Sequence, residues 1–279
     1  MVIATRDQLI DAMANNSSRL IIDKASIANA VIGQFQSLWR ATGQPGQAAI
    51  PTTAATCDNT LLGALQFTQQ TAPATSYLGI LEAMSTNAGT TLEIHDRLMQ
   101  MGGLSGTLTT SQTVNLDLFA NTGLDNLLAR TGDSNFSDVQ WWIEVYTDMG
   151  ATASNATINV TYNDATSANL TVQAVGGTLR ASRMIPLNSL IAAADSGKYI
   201  RDINTVILSA STATAGNFGF TATRYRAANY QPVANARFTS DWAGLGLPEI
   251  PNESCLFVIQ VASATTTGSV RATGKLAHG

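Results

Sequence analysis

QWWIEVYTDMG (140–150), ATINVTYNDATSANLTVQAV (156–175), INTVILSAS (203–211) and NFGFTATRYR (217–226) form the stretch that decides the fold. In the first run Val139, Trp141, Ile143 and Val145 share one face, and Gln140, Trp142, Glu144 and Tyr146 share the other. Alternation of period two in Val, Ile, Thr and aromatic residues describes a half-buried strand. The connectors are built from Asn, Asp, Gly, Ser and Thr, whose short side chains bend a chain through local hydrogen bonds. Strands at this spacing predict a mainly β protein, an antiparallel β-sandwich of jelly-roll-like type. Trp141, Ile143 and Val145 are expected to be buried, with Gln140 and Glu144 more exposed.

Upstream the pattern changes. Thr5 with Gln8 makes a capping box ahead of Leu9, Ile10 and Met13. Ser26 can cap a second helix in which Ile27, Val31, Phe35 and Leu38 mark one face, stopped by ATGQPGQ at 41–47. Residues 48–90 show no sustained period and fit an extended, wrapping arm. EIHDRLMQ (93–100) suggests one or two helical turns ending at Gly102-Gly103. The reading is therefore a helical and extended N-terminal arm and assembly region over 1–105, followed by a β-sandwich domain over 106–279.

The chain has 279 residues, of which 45% are hydrophobic and only 12% charged. That charged share is about half the usual one. A surface polar through neutral residues costs little to desolvate and suits extensive protein contact. The net charge of −4 is spread over both stretches, and no basic stripe exists to neutralise phosphates, so direct nucleic-acid binding is not expected. Arg224-Tyr225-Arg226 is explained by alternation along a strand. No membrane span is expected, and MVIATRDQLIDAMANN lacks the features of a secretory leader. The triplets at Asn155, Asn159 and Asn169 then read as by-products of Asn/Thr richness. Cys57 and Cys255 form no disulfide framework or thiol metal site and are expected to be reduced and buried.

Reactive constellations are weak. A triad needs a His beside Ser or Cys. His278 lies in what reads as a flexible tail, and His95 adjoins Asp96 on the expected short helix. Gly103-Leu104-Ser105-Gly106 misses the nucleophile-elbow spacing by one place, which leaves a His95/Ser105 pair without support. Gly102–Thr107 has no following Lys and leads into a strand, so it is no phosphate cradle. Gly244-Leu245-Gly246 before Pro248 reads as a turn. Asp133, Asn135, Ser137 and Glu144 echo a calcium loop, but Asp138 stands where such a loop needs glycine. Asp148 and Asp164 sit on loops where a carboxylate pair for glycan hydrolysis could lie. Trp142, Glu144 and Tyr146, sharing a face, could form a sugar platform or be covered by the arm or a partner subunit. No catalytic, cofactor or metal residue is assigned, and the chain is expected not to be an enzyme.

Several segments resemble structural proteins of tailed-bacteriophage particles. They are Asp96-Arg97-Leu98 with Gly102–Gly106, Arg183–Leu187, Gly197–Val206, Leu208–Phe220 and the closing Leu245-Gly-Leu-Pro. The likeness covers roughly 95–225 and its motifs are turns and strand ends. It implies a virion structural protein of minor capsid or head decoration type, made in the bacterial host cytoplasm. Its implied partners are itself, with a homotrimer preferred, and a major capsid protein. The alternative is a receptor- or carbohydrate-binding module of a phage tail fibre.

Overall fold

Alternation along 140–226 does produce strands, and strands are also the main regular element in the rest of the described residues. The computed structural model describes residues 3–120 and 127–279. Helix α1 (Arg6–Asn15) leads into β1 (Ser17–Lys24), β2 (Phe35–Ser37), β3 (Gly43–Gln44) and β4 (Ala55–Thr56). Then come β5 (Ser76–Ser85), β6 (Thr90–Leu104), β7 (Gln112–Asp117) and the short α2 (Leu127–Thr131). β8 (Val139–Thr147), β9 (Ser154–Tyr162), β10 (Ser167–Asn169), β11 (Gln173–Val175) and β12 (Arg183–Pro186) follow. The chain closes with β13 (Ile200–Leu208), β14 (Asn217–Gln231), β15 (Phe238–Asp241), α3 (Trp242–Leu245), β16 (Glu249–Ile250), β17 (Leu256–Val261) and β18 (Val270–His278).

Two compact units result, and they are cut differently from the stretches 1–105 and 106–279. The first comprises 1–49, 58–96 and 225–279; the second comprises 50–57 and 97–224. Two of the four boundaries fall inside β6 and β14.

In the first unit one antiparallel sheet runs β15-β5-β18-β1-β3, with β16 also on β5. A second set runs β2-β17-β6. Leu20, Ile22, Leu78, Leu81 and Leu276 of the former share one apolar cluster with Leu92, Ile94, Leu256 and Val258 of the latter. In the second unit the sheet β10-β9-β13-β7, with β11 on β9, contributes Val114, Leu116, Ile158, Val160 and Val206 to another cluster. Facing them are Trp141, Ile143 and Val145 of β8 with Phe218 and Phe220 of β14. β14 pairs with β8 and with β6. At Gly219 any Cβ would stand 1.8 Å from the carbonyl oxygen of Met101, so only glycine permits this approach.

The capping box at Thr5 and Gln8 forms as read. The helix expected over Ser26–Arg40 does not. Asn29 and Gly33 adopt left-handed conformations, with φ of 64° and 74°, that no α-helix contains. Pairing with distant chain wins instead: Gly33 N–H donates to Ala262 O at 2.8 Å and Leu38 N–H to Val258 O at 2.9 Å. The helical turns expected over Glu93–Gln100 are also replaced, by the middle of β6. Nor is there an extended arm over 48–90, since Tyr77-Leu78-Gly79-Ile80-Leu81 lies in β5, an inner strand of its sheet. The flanking strand for both β1 and β5 is β18, close to 200 residues or more further along the chain, so no local periodicity announces it.

His278 belongs to β18 rather than to a flexible tail. Its ring nitrogens meet Ser76 Oγ at 2.9 Å and Ser18 Oγ at 2.8 Å.

Candidate functional site

β6 carries Glu93-Ile94-His95-Asp96-Arg97-Leu98-Met99-Gln100, and every residue from Ile94 to Gln100 is buried. A strand buried on both faces must satisfy its charges internally. In the second unit, Arg97 Nη2 donates to Glu144 Oε2 at 2.5 Å, Tyr146 OH at 3.0 Å and Thr221 Oγ1 at 3.1 Å, while Arg97 Nε donates to Gln100 Oε1 at 2.8 Å. Tyr146 OH and Thr221 Oγ1 also donate to Glu144 Oε2. Burial works against the Arg97 charge, yet Glu144, Tyr146 and Cys57 together outweigh it and hold the guanidinium pKa above its ordinary value. Burial, then the same carboxylate, pushes the Tyr146 phenol up. Arg130 closes the cluster, donating to the carbonyl oxygens of Cys57 at 2.8 Å and Arg97 at 3.0 Å.

The first unit holds a matching arrangement. Asp96 accepts from Arg226 Nη2 at 3.0 Å and from the backbone N–H of Cys255 at 2.9 Å. His95 Nε2 meets Glu93 Oε2 at 2.9 Å, and its ring stands edge-on to Tyr225. Burial lowers the His95 pKa despite the neighbouring Glu93. Lys24, buried, donates to the carbonyl oxygens of Ala41 and Pro45 at 3.0 and 2.6 Å, and burial lowers its pKa to about 8.

These contacts decide the fate of the residues singled out from sequence. Trp141, Ile143 and Val145 are buried and Gln140 is exposed, as expected, but Glu144 is buried. Trp142, only 3% exposed, donates its indole N–H to Thr223 Oγ1 at 2.8 Å. A sugar platform of Trp142, Glu144 and Tyr146 therefore does not exist at the surface. β8 is buried on both faces: on the one expected to be open, Trp142 meets Thr223 of β14, and Glu144 and Tyr146 meet Arg97 of β6.

Ser105 Oγ meets Thr107 Oγ1 at 2.9 Å, and so is engaged apart from His95. The Asp133 carboxylate caps its own turn: it accepts from the N–H groups of Asn135 and Ser137 and from Ser137 Oγ, the last contact doing most to lower its pKa. With Glu144 committed to Arg97, no twelve-residue calcium loop forms. Asp148 pairs with Arg180, and Asp164 with Lys198. Gly246 takes the left-handed C-cap of α3, with φ of 72°. Cys57 and Cys255 are free and buried. Among the described residues no His/Cys/Asp/Glu group could hold a metal ion, and no helix is long and apolar enough to cross a membrane.

What sequence reading missed lies on the outer faces of the sheets. On the first unit, β1 sends Leu20, Ile22 and Lys24 inward and Arg19, Ile21 and Asp23 outward. Two adjoining cavities of about 480 and 330 Å³ open there, sharing Arg19, Glu82 and Thr273. Arg19 stands opposite Lys275, Ile21 opposite Thr273, and Asp23 opposite Arg271. The carboxylates are already engaged, Glu82 by Arg237 at 3.3 Å and Asp23 by Arg271 at 3.2 Å. The signal was in the sequence, since SRLIIDK alternates, but it is a single short run.

The second unit's outer face is neutral. Asn169, Asn159, Thr205 and Thr113 stand in one cross-strand row. Asn159 donates to Asn169 and Asn204 donates to Asn159, each at 2.9 Å, giving an amide ladder across three strands. At one end of this sheet Asp202 stands opposite Asp117 in the pairing of β13 with β7. Burial, together with that second carboxyl, raises the Asp202 pKa to about 7 although Arg201 opposes the shift.

No protein-family model matches the chain, and no curated protein matches it. Among solved structures it is similar to capsid proteins of infectious bursal disease virus. The VP2 subviral particle shares 11% identity over 94% of this chain and 79% of that chain, with a TM-score of 0.16. The protein of the derived T=1 particles shares 12% over 94% and 76%, with a TM-score of 0.17. That of the Gt strain shares 10% over 94% and 80%, with a TM-score of 0.18. At such scores the likeness carries no argument for fold or function.

Proposed function

We propose that this chain is a non-enzymatic structural component of a bacteriophage particle, a capsid decoration or minor head protein working through protein contacts repeated by symmetry. The observation that carries this reading is the disposition of its reactive side chains. His95, Asp96, Arg97, Glu144, Arg226 and His278 are each consumed in an internal pair, while the outward sheet faces offer broad polar surfaces. Catalysis needs a positioned group that can reach a substrate. Particle assembly needs surface that is cheap to desolvate and a scaffold that holds its shape.

The resemblance of Asp96–Leu98, Gly102–Gly106, Arg183–Leu187, Gly197–Val206 and Leu208–Phe220 to tailed-phage virion proteins supports the same reading. So does the meeting of two sets of strands in one apolar cluster in each unit, which suits the jelly-roll-like sandwich read from sequence. In this proposal the partners are further copies of the chain, as a homotrimer, and the major capsid protein; the site of action is the virion. The tail-fibre alternative rested on exposed aromatics at Trp142 and Tyr146, and both are buried.

Quantitative mass spectrometry of purified particles tests the proposal. Copy numbers in the hundreds support a decoration or coat role. A few copies move the chain to the neck or tail, and absence from the particle overturns a virion role altogether.

A further inference from the structure

The outer face of β15-β5-β18-β1-β3 presents a charge imbalance that the chain does not resolve by itself. Arg19 and Lys275 are cross-strand neighbours, a placement that destabilises a sheet when both are cations. The next residue in that row is Ile80 on β5, and the Asp241 carboxylate beyond it on β15 caps α3, accepting from the Gly244 N–H at 2.9 Å. The two nearby carboxylates, Glu82 and Asp23, are bound to Arg237 and Arg271. Together the two cavities are lined by four cations and two carboxylates, which leaves eleven basic and seventeen acidic residues for the rest of the chain. A cationic groove on an otherwise acidic molecule is complementary to another copy of that molecule.

One element has the matching shape and charge. Helix α1 packs Leu9 and Ala12 inward against Ala277. Its opposite side shows Asp7, Ile10 and Asp11, at helical spacings of three and four, with Ile10 58% exposed and Arg6 on the flank. In the groove Ile21, 55% exposed, lies in the row beside Arg19 and Lys275. Each surface is thus an exposed isoleucine next to two charges, of opposite sign on the two surfaces. Because Leu9 and Ala12 fix α1 with its acidic side outward, the helix cannot turn that side onto its own sheet.

We propose that this groove receives the acidic side of α1 from a second copy of the chain. This rests on the self-assembly reading above and names the surface through which it acts. If the contact is reciprocal it closes a dimer, and if it is head-to-tail it builds a ring or a filament.

Sedimentation of the full chain at about 50 mM and about 500 mM salt tests this, since a charge-driven contact weakens as the Debye length shrinks. Wild type should associate at low salt. Arg19→Glu/Lys275→Glu and Asp7→Lys/Asp11→Lys should each raise the dissociation constant by about tenfold or more, with melting temperatures and circular dichroism of the wild type. Combining all four substitutions should restore most of the association. Association of both double variants at wild-type strength overturns the groove while leaving self-assembly intact. A combined variant as weak as the doubles overturns the pairing with α1. A wild type that stays monomeric overturns both. Should the groove variants lose only heparin binding, with self-association unchanged, the groove serves an external polyanion and the proposal fails.

Discussion

The two units solve the same problem on the inside and opposite problems on the outside. Each receives part of β6 and balances one of its charges with a distant partner, Asp96 with Arg226 in the first and Arg97 with Glu144 in the second. Outside, the first unit keeps Arg19, Lys275, Arg237 and Arg271 on one sheet, while the second presents an amide and hydroxyl ladder. Buried charge therefore says little here about function, because a satisfied ion pair is a structural device that breaks expensively. Outward charge without a partner, as at Arg19 and Lys275, says more, since nothing within the fold requires it.

The sharpest way to break the comparison is to ruin one interior. Ile143→Asp places an unpaired carboxylate in the second unit's core at a cost of several kcal/mol, and soluble folded protein should be lost. A well-folded variant by circular dichroism would show that the face of β8 carrying Trp141 and Val145 is not the core.

Smaller, and more discriminating, is the pair Glu144→Gln and Asp96→Asn. Removing one partner of a buried ion pair costs about 3–5 kcal/mol. Glu144 is surrounded by Arg97, Tyr146 and Thr221, all donating to it, so its loss should lie at the upper end. Arg226 also reaches Glu249 O at 3.3 Å, which softens the loss of Asp96. Urea unfolding that ranks Asp96→Asn as the costlier change would reverse this account of the two interiors.

Asp202 adds a pH dependence confined to the second unit. Its folded pKa, raised to about 7 from 3.8, keeps a proton that the unfolded chain has already released. Stability should therefore fall as pH rises from about 4 through about 7. Asp202→Asn should flatten that fall, melting a few °C higher than wild type at about pH 8 and level with it at about pH 3. Identical profiles for the two proteins would mean that Asp202 is ionised throughout.

The smallest effect is expected on the neutral outer face. Asn159→Ala breaks the ladder between Asn169 and Asn204, yet a partly exposed amide pair should move stability by no more than about 0.5 kcal/mol. A loss of several kcal/mol would show that the ladder holds the sheet together and is more than a surface.

Strand character over 139–226, the capping box at Thr5, the buried free cysteines and the turn residues were legible in sequence. Apart from the cysteines, read from their number, each depends on neighbours within about ten positions: alternation, a cap three residues away, a small residue at a bend. The helix expected over Ser26–Arg40 and the turns expected over Glu93–Gln100 failed for one reason. Ile27, Val31, Phe35 and Leu38 mimic a helical period, and Glu93–Gln100 reads as one or two helical turns, whereas backbone partners in β17 and charge partners in β8 and β14 lie about 40 to more than 200 residues away. Such pairing follows from strand order and register, which no local window contains. By itself the sequence determined that this is a low-charge, strand-rich chain with few reactive groups. Only the tertiary structure decided which charges vanish into the core and which remain outside, because a charged side chain's solvation depends on what the fold brings across from it.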